Sequence, residues 1–245
     1  MITKSQIKLI TSLKQKKFRQ QHGFFVAEGV KTIKELLQSS FKLHALFATK
    51  PLKIDANIDG CLEANIISEK ELKRISFLKT PNTALAVFKI PEPQPVKKDG
   101  FIVALDAVND PGNLGTIIRL CDWFGVKDLV CSSHTVDCFN PKVIQATMGS
   151  ITRVNVSYVD LEVFLKNYQG AVFGAFMDGK NVYTANLPKQ GVLVLGNEAN
   201  GISAEIEGVI TQKIAIPRFG DLQVAESLNV ATAAAVLLSE FKRDA

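Results

Sequence analysis

The sequence predicts an α/β protein of two domains, the second of which is built on a parallel sheet. The chain has 245 residues, 47% of them hydrophobic, which suits one or two globular domains and excludes a disordered chain. Residues 91–100 hold three alternate prolines followed by charge and glycine, which neither a helix nor a central strand accommodates. After residue 100, β-rich apolar runs alternate with helical stretches, the pattern of parallel strands joined by crossover helices.

The first domain is predicted over residues 1–90 as a small α/β domain. Its opening 20 residues carry six Lys or Arg and no acidic side chain, and apolar residues recur there near a helical period. We expect a basic helix of the mature protein, with an organellar presequence as the alternative. Strands are then expected at 24–27, 44–48 and 84–90, and helices at 29–39 and 69–78.

The second domain is predicted over residues 101–245, after a linker at 91–100. The alternating β-rich and helical stretches cover, in order, 101–108, 114–124, 128–132, 141–148, 171–176, 191–195 and 213–216. The last helix is predicted from about Glu226 to Lys242. It is rich in Ala and Leu and ends on Lys242 and Arg243, where cations suit a helix C-terminus.

Charge is distributed unevenly between the two predicted domains. The net charge is +5, yet residues 1–100 hold 18 Lys or Arg against 9 Asp or Glu, and residues 101–245 hold 11 against 15. The first part is therefore +9 and the second −4. Clustered cations bind phosphates by releasing counterions, so the first domain is expected to meet a polyanion such as nucleic acid. A solvated basic face is the alternative.

The cysteine and histidine content argues against a metal centre. Four cysteines include no CxxC pair and only three histidines occur, so zinc-ligand spacing is absent and no metal is predicted. Reduced thiols in the cytoplasm fit better than a disulfide framework. No apolar run approaches about 18 residues, so no membrane span is expected.

Three polar, glycine-bearing segments each follow a predicted buried strand, the place where open parallel sheets bind ligands. In the first, Asp110-Pro111-Gly112 leads into Asn113, which is expected to cap the next helix, and Arg119 lies six residues further on. The alternative is a plain turn, in which Asn113 is only a cap and Arg119 a surface ion-pair partner.

The second segment spans residues 192–203. Four apolar residues run into Gly196-Asn197-Glu198, and Gly201 follows. Glycine lets the backbone approach a ligand closely, and Glu198 is held at the end of the strand. An ordinary strand-to-helix turn with Ser203 as N-cap is the alternative.

The third segment spans residues 214–232. It places Ser227 and Asn229 in the first turn of the predicted last helix, where free backbone N–H groups favour a carboxylate or phosphate. Alternatively, Ser227 is a cap and Asn229 faces solvent. No Ser-His-Asp arrangement is evident around His134.

Taken together and in this order, the three segments resemble the motifs of the SpoU/TrmH family of RNA ribose 2′-O-methyltransferases, within the SPOUT superfamily. The matching residues are Asn113 with Arg119, Gly196-Asn197-Glu198 with Gly201, Ile216-Pro217, and Glu226-Ser227-Leu228-Asn229-Val230. The first 90 residues resemble the substrate-binding domain that many members carry, notably over Phe25-Val26-Ala27-Glu28-Gly29-Val30-Lys31.

The resemblance implies a fold and a cofactor. The second domain would thread its last strands and helix as a deep trefoil knot, an exception to the rule that chain connections stay unknotted. Family members use S-adenosylmethionine, which by carry-over lies against Gly196, Ile216 and Leu228, with Gly201 in the same set. A GxGxxG fingerprint is missing after the first strand of this domain, which agrees, because that fingerprint binds an adenosine cofactor differently.

The resemblance also implies the reaction, methyl transfer from a sulfonium to a ribose 2′-oxygen. It assigns Arg119 to the reacting centre. Because a guanidinium stays protonated in proteins, we expect Arg119 to bind the phosphate beside the target ribose and to orient the hydroxyl. The other catalytic candidates are Asn113, Glu198, Ser227 and Asn229, with Asn229 supporting the hydroxyl and Glu198 fixing Arg119 or the knot loops.

Partners follow by the same analogy. Family members are typically homodimers that build the site at the interface, and the appended domain favours structured ribosomal RNA over transfer RNA. A transfer RNA methyltransferase and a catalytically silent RNA-binding module for ribosome assembly stay open as alternatives. One departure from the family pattern is the long segment between Pro217 and Ser227, where cofactor contacts are expected just before Ser227. There Arg218 replaces a commonly apolar residue, and contact of Arg218 with RNA is the alternative.

Overall fold

The computed structural model describes residues 1–52, 64–220 and 227–243. Contacts divide the chain into two compact units. The first unit comprises Met1–Glu92 and Asp137–Thr152, and the second comprises Pro93–Val136 and Arg153–Ala245. Within the described residues, no helix is both long and apolar enough to cross a membrane.

The first unit is built on a four-stranded mixed sheet. Its strands are β1 (Phe24–Glu28), β2 (Leu43–Ala48), β3 (Asn65–Ile66) and β4 (Ala84–Lys89), in the order β1-β4-β2-β3. Strand β4 runs antiparallel to β1 and β2, whereas β3 is parallel to β2. The helices of Met1–Glu92 are α1 (Lys4–Ser12), α2 (Lys16–His22), α3 (Val30–Leu37) and α4 (Glu69–Ile75). The small α/β domain expected from the sequence is confirmed.

The basic N-terminal segment forms two helices, where one was expected. Thr3 and Gln6 cap α1 reciprocally as a capping box, and α2 ends on Gly23, whose φ is 67°. Between the helices, the carbonyls of Leu13 and Lys14 accept hydrogen bonds from the Arg19 guanidinium at 2.8 and 2.9 Å. The buried Arg19 side chain therefore satisfies the backbone groups that the break frees.

Arg19 also ties the segment 137–152 into the first unit. Its Nε donates to Asp137 Oδ2 at 2.8 Å, and the side chain is only 2% exposed. Two residues further on, the Phe139 ring lies 4.9 Å from that of Phe25 on β1, between ring centroids. The segment continues through α6 (Pro141–Thr147), which packs on β1, and a 3-10 turn (Ser150–Thr152). Residues expected in the second domain thus pack with the first sheet.

The second unit is built on a six-stranded sheet in which every pair of neighbours is parallel, which confirms the predicted parallel sheet. The strand order is β10-β8-β9-β5-β6-β7. The strands are β5 (Phe101–Leu105), β6 (Asp128–Ser132), β7 (Asn155–Val159), β8 (Val172–Asn181), β9 (Gly191–Leu195) and β10 (Gln212–Ala215). Its helices are α5 (Pro111–Trp123), α7 (Leu161–Lys166), α8 (Ala204–Glu207) and α9 (Val230–Phe241).

The central strands of this sheet are fully buried, and their carboxyl ends lie at one edge of the sheet. Strands β5, β6 and β9 bury every residue, as expected for strands covered on both faces. Because β5 and β9 are neighbours, the loops after Leu105 and Leu195 leave the sheet side by side. The trefoil knot that the family resemblance implies stays a prediction.

Candidate functional site

Two loops leave the carboxyl ends of β5 and β9 and are joined by hydrogen bonds. The Asp106 N–H donates to the carbonyl of Leu195, and Asp106 Oδ2 accepts from the Ser203 N–H at 2.8 Å. The Asn197 side chain donates to the carbonyl of Ala107 at 2.7 Å. Ala107 has φ 55°, a backbone conformation that costs energy for a residue with a Cβ. Hydrogen bonds from both the backbone and the side chains thus fix the conformation of this edge of the sheet.

A chain of three side chains then links the three segments that the sequence singled out. Asn113 Nδ2 donates to Glu198 Oε1 at 2.7 Å. Asn229 Nδ2 donates to Asn113 Oδ1 at 2.9 Å, and Asn229 Oδ1 accepts from the N–H groups of Ala231 and Thr232. Each amide has its orientation fixed by the next one, because the helix start requires the Asn229 oxygen and the carboxylate requires an N–H of Asn113. We call Glu198, Asn113 and Asn229 the polar bridge.

The bridge corrects two expectations about helix caps. Asn113 does not cap α5, because Asp110 is the N-cap and its Oδ1 accepts from the Asn113 N–H at 2.8 Å. Asn229 is itself the N-cap of α9, so Ser227 precedes the helix instead of lying in its first turn. The Asn109 nitrogen also donates to Glu198 Oε2 at 3.4 Å, so Glu198 contacts both the loop after β5 and the first turn of α5.

Beside the bridge lies a cavity of about 580 Å³, a size typical of small-molecule sites. Its walls are mostly apolar, from β8, β9, β10 and α9. All four residues expected to bind the cofactor line it, and so do two catalytic candidates: Gly196, Gly201, Ile216, Leu228, Glu198 and Ser227. The structure therefore brings the cofactor set together around one cavity.

Gly196 is required where the cavity wall turns. A Cβ at this position would lie 2.2 Å from the carbonyl carbon of Gly201 and 2.3 Å from the Ile202 nitrogen. The loop between them is closed by paired backbone bonds, Asn197 N–H to Gly201 O at 2.8 Å and Gly201 N–H to Asn197 O at 2.9 Å. Only a residue without a side chain permits this close backbone approach.

Arg119 stands apart from the other candidates. It is exposed on α5 and is not among the residues that line the cavity. Within the part of the chain that the structure describes, its guanidinium makes no hydrogen bond or ion pair. Asp221–Glu226 lie outside the described residues, and with them the cofactor contacts expected just before Ser227 and the expected helix start at Glu226.

Several residues of the site carried too weak a sequence signal to be assigned a role. Asp106 and Asn197 bind the two loops together, although Asn197 sits inside a motif that was recognised. Phe176 and Met177 line the cavity from β8, whose predicted end at residue 176 falls five residues short of Asn181. Strand β8 runs on because Ile214 and Ala215 pair with Lys180 and Asn181 after a register shift.

The fold and the cavity together define an α/β protein that binds a small organic ligand at the carboxyl edge of a parallel sheet. The chain belongs to the SpoU rRNA methylase family, whose model matches residues 100–239. A second model, the MRM3-like substrate binding domain, matches residues 4–86.

Relatives cover nearly the whole chain. The 23S rRNA (guanosine(2553)-2′-O)-methyltransferase RlmP of Bacillus subtilis is 31% identical over 92% of this chain and 91% of its own. A TrmH-family protein from Porphyromonas gingivalis is 36% identical, with a TM-score of 0.90 and complete coverage of both chains. The S-adenosylmethionine-bound rRNA methyltransferase of Sinorhizobium meliloti is 28% identical, with a TM-score of 0.83 over 99% of this chain and 96% of its own.

Proposed function

We propose that this protein transfers a methyl group from S-adenosylmethionine to a ribose 2′-hydroxyl in ribosomal RNA. The observation that carries the proposal is the cavity of about 580 Å³ with the polar bridge beside it, because one site then joins a ligand pocket to polar groups from three chain segments. Two of the named relatives, from Bacillus subtilis and Sinorhizobium meliloti, are rRNA methyltransferases; the first acts at a guanosine 2′-oxygen, and the second was crystallised with S-adenosylmethionine. We assign this activity to the cytoplasm.

The cavity suits this cofactor in size and lining. Apolar side chains such as Ile216 and Leu228 can cover an adenine ring and a methionine chain, and backbone groups supply polar contacts where side chains are small. The tight approach of Gly196 to the 201–202 peptide leaves the backbone itself as the wall. We assign Gly196, Gly201, Ile216 and Leu228 to hold the cofactor, which supplies an activated methyl group on a sulfonium and leaves as a neutral thioether.

The remaining work falls to the chain's own polar groups. A ribose hydroxyl is a poor nucleophile until its proton moves away, and in this reaction the proton is released to solvent as the O–C bond forms. Arg119 cannot act as the base, because a guanidinium stays protonated. Its exposed position on α5 suits a charge-assisted contact to the phosphate next to the target ribose, which would align the hydroxyl with the methyl group.

The polar bridge acts through position. Glu198 was expected to fix either Arg119 or the knot loops. Its hydrogen bonds to Asn113 and to the backbone amide of Asn109 favour the second role. The side-chain oxygen of Asn229 accepts from the start of α9, and one of its N–H groups donates to Asn113. Asn229 therefore supports the ribose hydroxyl by holding Asn113 in place and by donating its remaining N–H. Ser227 lines the cavity ahead of the helix and completes the set.

Substitution of Arg119 tests the function. In Arg119→Ala, methyl transfer to ribosomal RNA from cells lacking the protein should fall at least about 100-fold, as expected when an electrostatic contact is lost in the transition state. Binding of S-adenosylmethionine, measured by calorimetry, should stay within twofold, because Arg119 does not line the cavity. The assay counts labelled methyl groups and maps them to a nucleotide.

Arg243→Ala is the matched control, since Arg243 is another exposed arginine of the second unit, paired with Glu240. It should leave transfer unchanged. Near-normal turnover of Arg119→Ala would remove Arg119 from the reaction. If the unaltered protein methylates transfer RNA instead, the substrate is wrong; if it binds RNA and cofactor without turnover, it is the silent module.

We assign RNA binding to the first unit. Residues 1–100 carry the +9 excess, and the family model for a substrate-binding domain covers residues 4–86. Lysines of α1 and α2 such as Lys8 and Lys17 are exposed, which lets RNA phosphates approach their ammonium groups.

We assign the protein a homodimeric state. On α5 the indole of Trp123 is 84% exposed, so the largest apolar side chain of the second unit lies in water at a cost in hydrophobic free energy. It lies one turn beyond Arg119 on the same helix face, so a second copy that covers Trp123 would also approach Arg119. Burial between subunits would remove the cost.

A further inference from the structure

Apolar side chains are exposed along one margin of the cavity in the second unit. Phe219 is 80% exposed, Met177 53%, Leu228 51% and Tyr183 39%. The rings of Tyr183 and Phe219 lie 6.3 Å apart between centroids, at an interplanar angle of 32°. We call these two rings the aromatic rim. An exposed apolar patch beside a ligand cavity indicates a binding surface, because exposing apolar side chains to water does not stabilise the fold of the chain itself.

The rim is adjacent to the cavity by chain position. Met177, Arg218 and Leu228 all line the cavity, and Phe219 directly follows Arg218. Tyr183 follows β8 and is held there, since its N–H donates to Asn181 Oδ1 at 2.9 Å. The neighbouring Val182 N–H donates to the Ala215 carbonyl of β10 at 2.9 Å. The pairing of β8 with β10 therefore places Tyr183 near Ala215, the end of β10, which lies four residues before Phe219 in the chain.

We infer that the aromatic rim stacks an unpaired base of the RNA substrate, that of the methylated nucleotide or its neighbour, and so positions the ribose for transfer. The inference rests on the proposed function. Sequence-specific recognition of RNA uses unstacked bases that lie against aromatic rings, and the target ribose must reach the cavity that Met177 and Leu228 line. Arg218, which lines the cavity and precedes Phe219 in the chain, adds a basic residue to the same margin.

A base fits this surface better than a partner protein does. Two rings whose centroids lie 6.3 Å apart form a small platform, whereas a stable protein interface buries about 800 Å² of surface on each partner. Stacking on a ring tolerates any base, so the rim would position the nucleotide without by itself selecting its identity.

Replacement of the Phe219 ring tests the inference in the full-length protein. Phe219→Leu keeps the apolar character and removes the aromatic face, whereas Phe219→Trp keeps a face. With ribosomal RNA from cells lacking the protein as methyl acceptor, Phe219→Leu should lower kcat/KM for RNA about tenfold, mainly through KM, as expected when one base loses its stacking partner. Phe219→Trp should restore it to within about threefold. The dissociation constant of S-adenosylmethionine should change less than twofold in both.

Tyr183→Leu is the second variant, and it should lower kcat/KM in the same direction. Its matched control is Tyr158→Leu on the edge strand β7, since Tyr158 is 38% exposed and the substitution makes the same chemical change away from the cavity. Thermal unfolding verifies that each variant is folded. If the unaltered protein transfers methyl groups and both Phe219→Leu and Tyr183→Leu match it, the aromatic rim has no role while the proposed function stands.

Other results separate the remaining outcomes. A protein that methylates no RNA in any form contradicts the proposed function before the rim is tested. A change of sedimentation coefficient in Phe219→Leu would show that the ring contacts a second copy of the chain, and that result would overturn the base platform. Loss of S-adenosylmethionine binding in both Phe219 variants would place the ring in the cofactor site and would also overturn it.

Discussion

At the scale of single residues, the polar bridge is the feature whose hydrogen bonds are most sensitive to a small chemical change. Asn113→Asp replaces an N–H donor with a carboxylate against Glu198, at a contact of 2.7 Å in the native protein. Two facing carboxylates repel and leave one acceptor without a donor. We expect methyl transfer to fall roughly 10- to 100-fold, measured as kcat/KM for RNA, with a smaller loss of thermal stability.

The double variant that combines Asn113→Asp with Glu198→Gln gives the sharper comparison. It restores one donor between the two positions, because the introduced glutamine amide can donate to the introduced aspartate carboxylate, which also accepts from Asn229. Activity should therefore recover above that of Asn113→Asp alone. Equal activity in the native protein and both variants would mean that the bridge is not used in the reaction.

Residue identities were predictable from the sequence here, but their pairing was not. Asn113, Glu198 and Asn229 stood out because each follows a buried strand or opens a helix. The contact between Asn113 and Glu198 joins residues 85 apart in the chain. It depends on β9 lying next to β5 in a register that aligns Leu105 with Leu195, and hydrophobic periodicity in one segment carries no information about that register.

At the scale of elements, the turn after β9 provides the clearest test. Gly196→Ala should weaken binding of S-adenosylmethionine at least about tenfold, because a Cβ 2.2 Å from the Gly201 carbonyl carbon must push the loop away from the cavity. Calorimetric titration measures the affinity, and thermal unfolding separates it from loss of the fold. Gly208→Ala is the control: its new Cβ would meet its neighbours at 3.6 Å, an ordinary contact. Equal affinities in the two variants would contradict this role for the turn.

Element prediction succeeded where burial was complete and failed where it was partial. The bounds predicted for β6 and β9 agree with the structure, and both strands are buried at every residue around an apolar centre. Strand β7 was not predicted, because polar Asn155 and Ser157 interrupt its apolar pattern at the sheet edge. Helix α8 has four residues, too few to show a period of 3.6.

At the scale of the whole molecule, the exposed Trp123 makes the oligomeric state testable. Trp123→Glu should shift the protein from dimer to monomer at micromolar concentration in sedimentation velocity, because a charge cannot replace an indole in an apolar interface. Methyl transfer should fall with it if the site needs both copies. Val163→Glu serves as the control, since Val163 is 52% exposed on α7 of the same unit. An unaltered protein that sediments as a monomer would contradict the homodimer itself.

The fold class, the parallel sheet and the family were accessible from the sequence, because strand and helix patterns alternate and the three motifs occur in order. The membership of residues 137–152 in the first unit was not. Their helical pattern lies in chain order among elements of the second unit, and only the partners of Arg19 and Phe25 show where the segment belongs. An acidic residue that pairs with an arginine 118 positions away leaves no local trace.

The discontinuous first unit has a consequence for how the protein is made. A ribosome delivers residues in order, and N-terminal domains commonly fold while the rest is still being synthesised. Here the first sheet lacks the carboxylate that neutralises its buried Arg19 until residue 137 has emerged, and lacks α6 until residue 147 has followed. The nascent chain must therefore carry an incomplete N-terminal unit through the synthesis of β5, α5 and β6, and this unit can be completed only after residue 152 has emerged.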